Sequence, residues 1–278
     1  MTLPFAKYQA LGNTYLVLPQ PPTDLTSGLI ERICDVHYGI GSDGILTPVT
    51  PPEPAPSGLP AFGLRIFNPD GSEAEKSGNG LRIFSRWLYD EGLVSAAPFA
   101  VWTAGGWVQA KIEPGGSPVT VEMGRFSFDS TRIPVLGPPR LVLNEALSVG
   151  EECLGVCALT LGNPHCVVLD APVDEATARR LGPLVENHPA FPHRTNVQFL
   201  QVLDPRNIQI QIWERGAGYT LASGSSSCAA AAVAHRLGLA EAQVTVHCPG
   251  GALLVDLHPD DSVTLTGPVT PIARGFIT

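Results

Sequence analysis

No stretch of this chain approaches the ~20 consecutive apolar residues of a membrane-spanning helix, so no helical membrane protein is expected. Positive charge is scarce: 17 Lys and Arg stand against 26 Asp and Glu, a net charge of -9. Without a basic cluster to neutralise phosphates, a nucleic-acid partner is excluded. Paired cysteine spacing is missing as well. The six cysteines (Cys34, Cys153, Cys157, Cys166, Cys228 and Cys248) are scattered, with neither the density of a disulfide scaffold nor the spacing of a zinc site. Cys153 and Cys157 could share a helix face, but no His or Cys pair follows at ligand distance, so no metal and no cofactor is expected. The first seven residues lack the basic region and apolar segment of a secretory signal, which makes a cytoplasmic protein the expectation. A Gly-x-Ser-x-Gly elbow is absent too, which leaves no support for a serine hydrolase.

What the chain does have is core. At 278 residues, 44% hydrophobic and 15% charged, it can fill one large or two ordinary domains. Short Val, Ile, Leu and Phe runs ended by Gly, Pro, Asn or Asp predict strands over Tyr15 to Leu18, Gly63 to Phe67, Val101 to Thr103, Trp107 to Ile112, Val119 to Met123, Val156 to Leu161, Val197 to Leu203, Ile208 to Trp213 and Val263 to Thr266. Helical periodicity marks Leu25 to His37, Gly80 to Tyr89, Glu175 to Leu184 and Gly224 to Leu237. The six prolines between Pro48 and Pro60 predict a surface loop between strands of one domain.

The chain also repeats itself. Ser77-Gly78-Asn79-Gly80 and Ser223-Gly224-Ser225-Ser226 each open a predicted helix, and Asn68 and Glu214 each stand nine residues before the serine. Leu11-Gly12-Asn13 and Leu161-Gly162-Asn163 each precede an apolar run. The offset is 150 residues at the Gly-Asn pairs and 146 at the serines, as a duplicated domain with a short insertion or deletion would give. A domain break is expected after Met123-Gly124.

A serine before a helix caps its orphan N-H groups. The same helix end carries unpaired donors and the positive pole of the dipole, which together grip a carboxylate. Two such ends would hold an amino acid with its α-carbon between two side chains, a geometry for removing a proton from one face and delivering one to the other. N-H donors on the carboxylate would stabilise the charge that deprotonation creates. Asn13, Asn68, Asn79, Asn163, Asn196, His165, Glu214 and Arg215 surround this candidate cleft in the sequence pattern and suit a zwitterion. An asparagine after glycine is also ordinary turn chemistry.

Seven motifs in order resemble the diaminopimelate epimerase family, within the superfamily that includes proline racemases and phenazine-pathway isomerases. They are Ala10-Leu11-Gly12-Asn13, Tyr38-Gly39-Ile40-Gly41-Ser42-Asp43-Gly44, Phe67-Asn68-Pro69-Asp70-Gly71-Ser72-Glu73, Ser77-Gly78-Asn79-Gly80-Leu81-Arg82, Gly162-Asn163-Pro164-His165, Arg194-Thr195-Asn196-Val197 and Trp213-Glu214-Arg215-Gly216-Ala217-Gly218. The resemblance implies an α+β fold of two pseudo-symmetric domains, each a β-structure wrapped around a central helix, with the active site in the interdomain cleft. On that reading the N-terminal domain spans 1–124 and is completed by a C-terminal strand within 266–278, with a last strand near Val263 to Pro268, and the C-terminal domain spans 125–265. It implies a cofactor-independent epimerase converting L,L- to meso-diaminopimelate, a precursor for lysine and peptidoglycan. It also implies a small-molecule amino-acid substrate and a homodimer. The implied catalytic positions are Ser77, Ser223, His165 and Glu214. The implied substrate-binding set is Asn13, Asn68, Gly78, Asn79, Asn163, Asn196, Glu214, Arg215, Gly224 and Ser225.

Both serines stand where the family keeps its two catalytic cysteines. A thiol titrates near ~8.5 and a helix end draws it toward neutrality, whereas a serine hydroxyl is a weak base until a neighbour takes its proton. Three readings stay open: an engineered double substitution, a natural relative whose bases are His165 and Glu214, or an amino-acid binder without turnover. An isomerase that shifts a proton through Glu214 or Glu73 belongs to the second. Further departures at Thr14-Tyr15 (Asp-Phe in the family), Tyr219 (Glu) and Ser225-Ser226 (Thr-Gly) favour natural divergence.

Overall fold

The computed structural model describes residues 2–56 and 58–278. The expectations that touch Met1 in the amino-terminal segment and Ser57 in the proline-rich loop lie, for those two residues, outside the described ones. Two compact units emerge, one of residues 1–122 with 266–278, the other of residues 123–265. The division at Glu122 and Met123 falls inside a strand that continues to Arg125, so no turn marks the break expected after Gly124.

The first unit runs β1 (Leu3–Ala10), β2 (Asn13–Val17), α1 (Ser27–Cys34), β3 (Ile45–Val49), β4 (Ala61–Phe67), β5 (Glu73–Ala74), α2 (Gly78–Asp90), β6 (Phe99–Thr103), β7 (Gly106–Ile112) and β8 (Val119–Arg125). The second runs β9 (Glu145–Val149), β10 (Glu152–Thr160), β11 (Pro164–Val168), α3 (Glu175–Glu186), β12 (Asn196–Asp204), β13 (Asn207–Glu214), β14 (Gly218–Tyr219), α4 (Gly224–Arg236), β15 (Gln243–Cys248), β16 (Gly251–Leu257) and β17 (Ser262–Gly267). The chain returns to the first unit within β17 and ends in β18 (Thr270–Ile277). Strand β18 lies within the 266–278 segment named for a C-terminal strand and beyond Val263 to Pro268, and it pairs antiparallel with β1 from Leu3 opposite Ile277 to Gln9 opposite Thr270.

The units repeat one pairing scheme. In the first, β1 and β2 are antiparallel, β2 and β3 parallel, β3 and β4 antiparallel, β4 and β6 parallel, and β6 and β7 antiparallel. In the second, β10 and β11, β11 and β12, β12 and β13, β13 and β15, and β15 and β16 repeat those directions in that order. The two-residue strands β5 and β14 sit on β4 and β13, each just before a long helix. The loop after β3 joins it to β4 as a hairpin, in line with the surface loop expected there.

Both long helices lie inside their units. α2 packs on β1, β2 and β7, burying Leu81, Ile83, Phe84 and Leu88, each worth about 1.5–3 kcal/mol out of water. α4 packs on β10, β11, β12, β13, β15 and β16 and is buried nearly all round, from Ser226 to Ala234. Its run of alanines explains how strands can close on every side, because small side chains let the backbone approach. α1 and α3 cover the β2–β3 and β11–β12 crossovers, capped by Thr26 and Asp174. Among the described residues, no helix is long and apolar enough to cross a membrane and no group of three or more His, Cys, Asp or Glu could hold a metal ion.

Candidate active site

The two serines occupy the same local structure. Each is the N-cap of a 13-residue helix, with φ and ψ of -141° and 120° at Ser77 and -142° and 126° at Ser223. Ser77 Oγ accepts the Gly80 N-H at 3.1 Å, and Ser223 Oγ accepts the Ser226 N-H at 3.5 Å. Gly78 and Asn79 open α2, Gly224 and Ser225 open α4, and first-turn N-H groups have no intrahelical acceptor.

The neighbours of the serines differ. In the second unit, Glu214 ends β13 and its carboxyl faces the Ser223 hydroxyl. Part of the Glu214 side chain is accessible, but its carboxyl is closely surrounded by protein, and that desolvation raises its pKa, with the Ser223 hydroxyl opposing. A carboxylate of raised pKa against a hydroxyl is a proton acceptor in place. In the first unit the residue equivalent to Glu214 is Asn68, whose Nδ2 donates to Ser72 Oγ at 3.0 Å. The hydroxyl beside Ser77 belongs to Tyr15, with the two oxygens 3.4 Å apart.

Glu214 is held by a buried carboxylate that the sequence did not single out. Glu186, in the last turn of α3 and 5% exposed, accepts from Trp213 Nε1 at 2.7 Å, the Gly216 N-H at 2.9 Å and Arg194 Nη1 at 3.0 Å. It therefore clamps the chain on both sides of Glu214-Arg215. Trp213 reaches it by lying on Gly182, where a Cβ would stand 2.5 Å from the indole Cγ.

His165 is placed differently from expectation. It is 0% exposed, its Nε2 is 3.0 Å from Asn163 Oδ1, and burial first, then the Arg215 charge, push its pKa down to about 3, with Gln198 opposing. A neutral imidazole that weak is a poor proton acceptor. Its route to α4 is indirect, since Gln198 Nε2 donates to Ser226 Oγ at 2.9 Å. The ring is thus buried beside Gln198, with its Nδ1 making no hydrogen bond.

Several asparagines expected at the substrate also hold one another. Arg82, 0% exposed, donates to Asn79 Oδ1 at 2.8 Å and to Gly78 O at 3.3 Å, which orients Asn79 Nδ2 onto Asn13 Oδ1 at 3.2 Å. Asn196 is spent on the backbone, donating to Pro164 O at 2.9 Å and accepting the Arg215 N-H at 3.0 Å. Arg215 Nη1 donates to His193 O at 3.1 Å, while its side chain is exposed.

The family model described as diaminopimelate epimerase matches residues 5–128 and 157–272. The chain belongs to the diaminopimelate epimerase family. "Diaminopimelate epimerase 2" of Nostoc sp. strain PCC 7120 is 54% identical over 273 residues, covering 98% of this chain and 94% of that protein. The diaminopimelate epimerase of Moorella thermoacetica is 40% identical over 280 residues, covering 98% of each. Among solved structures, a hydroxyproline epimerase from Agrobacterium vitis with bound trans-4-hydroxy-L-proline superposes with a TM-score of 0.70 at 15% identity, covering 99% of this chain and 92% of that one. A phenazine biosynthesis protein from Bacillus anthracis gives 0.66 at 13% identity, covering 100% and 99%. At such identities the likeness shows the fold, the mixed α/β architecture of diaminopimelate epimerases. Within that family, Glu186 is a residue sequence reasoning passed over, and Tyr15 one it noted only as a departure from the family pattern, without a place in the site. Tyr15 left a trace, because it stands at the position of His165 in the repeat, 150 residues earlier.

Proposed function

We propose that this protein is a cofactor-independent amino-acid epimerase acting on diaminopimelate in the cytoplasm, with serine hydroxyls at the two proton-transfer positions. The observation that carries this reading is the Glu214 carboxyl facing Ser223 at the start of α4, in a local structure repeated at Ser77 of α2. Ser223 Oγ takes the α-proton as its own proton passes to Glu214. The C-H electron pair spreads into the substrate carboxylate, where helix N-H donors stabilise it. Ser77 Oγ-H then gives a proton to the other face. The curated relatives named for diaminopimelate support the substrate class, as does the survival of Asn13, Asn68, Asn163 and Arg215 from the motif set. Incubation with L,L-diaminopimelate in deuterium oxide tests the reading. Meso product carrying α-deuterium is expected, and the absence of both overturns it.

A further inference from the structure

The residue that makes the two serines unlike one another in the first unit is Tyr15. It is 6% exposed, and its hydroxyl oxygen lies 3.4 Å from Ser77 Oγ. The ring is held by its surroundings. It abuts Gly44, where a Cβ would come within 2.5 Å of the ring Cε1 and of Phe67 O. The loop that presents Gly44 is fastened to the same strand: Ser42 Oγ donates to Gly44 O at 2.8 Å and to Thr14 O at 3.1 Å, and Asp43 Oδ2 accepts from Thr14 N at 2.7 Å and Thr14 Oγ1 at 3.0 Å. Thr14-Tyr15 and the Gly41 to Gly44 segment thus form one fitted unit. Its product is a phenol aimed at Ser77.

Opposite chemistry surrounds the two hydroxyls. Ser223 faces a carboxylate, which takes protons, while the equivalent of that carboxylate near Ser77 is the neutral Asn68. A phenol is protonated at neutral pH, with an ordinary pKa of ~10, and is a far stronger acid than an alcohol. We propose that Tyr15 is a positioning and proton-relay residue acting through Ser77, which fixes Ser77 as the proton-delivering serine of the pair. This rests on the epimerase reading above. The step balances: the Ser77 O-H bond breaks as a C-H bond forms on the substrate carbanion, Tyr15 O-H gives its proton to Ser77 Oγ, and the negative charge ends on the phenolate. Water returns the proton to Tyr15 after turnover. The Gly80 N-H on Ser77 Oγ lowers the cost of the transient alkoxide.

The titratable and charged groups on the elements around Tyr15 are Tyr8 and Lys7 on β1, Asp43 in the adjoining loop, Lys76 before α2, and Arg82, Arg86, Tyr89 and Asp90 on α2. Tyr8 stands directly across from Tyr15, but its hydroxyl donates to Asp90 Oδ2 at 3.0 Å, and burial with the Asp90 charge pushes its pKa up to about 12.

The test is a cycle of Tyr15→Phe in the natural chain and in a Ser77→Cys background, reading α-deuterium incorporation into L,L-diaminopimelate. Removing the phenol should slow exchange by ~10²–10⁴-fold in the serine protein and abolish the alkaline limb of its pH profile. In the Ser77→Cys background it should cost less than about threefold, since a thiol delivers its proton unaided. Equal losses in both backgrounds, or none in the serine protein, overturn the relay. If the natural chain exchanges nothing, the epimerase reading fails, and ultraviolet titration of tyrosinate still decides the coupling. The step absent from Tyr15→Phe should move to higher pH in Ser77→Ala; an unmoved step overturns the proposal.

Discussion

Replacing Glu214 with glutamine is expected to damage turnover and strengthen the fold at neutral pH, two effects of opposite sign from one changed atom. The side chain keeps its length at the end of β13, and the clamp of Glu186 on Trp213 and Gly216 is untouched. What disappears is a proton acceptor for Ser223. General-base catalysis contributes ~10²–10⁴-fold, or about 3–5.5 kcal/mol of barrier, and the reaction should slow by that factor. The pH dependence follows from the raised pKa. Turnover needs the ionised carboxylate, so the natural protein should lose activity on acidification at a pH above the ordinary glutamate value of 4.5. That limb should vanish in the variant. For stability, a carboxyl of raised folded pKa holds its proton more tightly when folded. Its favourable contribution is complete below the unfolded pKa and is lost as pH rises through the folded one. Glutamine carries no charge to bury, so the variant should overtake the natural protein as pH rises through that window. Exchange rates across the acid range, with urea unfolding at one acidic and one neutral pH, measure both effects. A turnover loss under threefold, or a variant less stable at neutral pH, refutes the reasoning.

Other consequences follow from the same neighbourhood. Glu186→Ala strands the Trp213 and Gly216 donors and should cost about 2–4 kcal/mol in urea unfolding, with kcat falling because Glu214 loses its anchor. His165 should show no imidazole titration by NMR between pH ~5 and ~8. Its lowered pKa makes the folded state the poorer proton binder, so stability should fall as pH drops from the unfolded value of 6.5 toward about 3, by up to ~1.4 kcal/mol per pH unit, and His165→Asn should flatten that slope. Ser223→Ala removes the α4 cap as well as the proton carrier, and should lower unfolding free energy by about 1 kcal/mol while abolishing exchange.

The sequence exposed the parts of this molecule whose signals are local. Four helices stood out by periodicity, and the serine caps by their place before them, because capping and amphipathic spacing act within a few residues. Strands whose reason is distant gave no local signal, and the C-terminal one was implied by the family resemblance alone. β18 is largely exposed and shows no alternation, and it exists because β1 pairs with it across nearly the whole chain. β3 contains Pro48, which reads as a strand breaker; yet the β2 ladder covers only Ile45 and Leu46, so the missing N-H interrupts no parallel pairing. At the site, residue type suggested His165 as a base, but burial decides its basicity and a lone histidine gives no sign of burial. Glu214 was legible through its motif. Glu186 was not, since it acts from a different helix, and Tyr15 showed only as a departure from the family pattern, because its contact with Ser77 joins residues 62 apart.

The seat of β18 also orders events during synthesis. Residues 123–265, a continuous unit, are all translated before the strand that completes the unit begun first. At 5–20 residues per second, β1 waits on the order of ten seconds to a minute for its partner. Through that interval the earlier half of the chain presents an unpaired strand edge, whereas the second unit waits for no strand made after its own last residue. β18, translated after the whole of the second unit, is thus the strand that closes the first, so a chain cut short before Thr270 would leave the Tyr15 and Ser77 unit incomplete while the Ser223 unit keeps all of its residues.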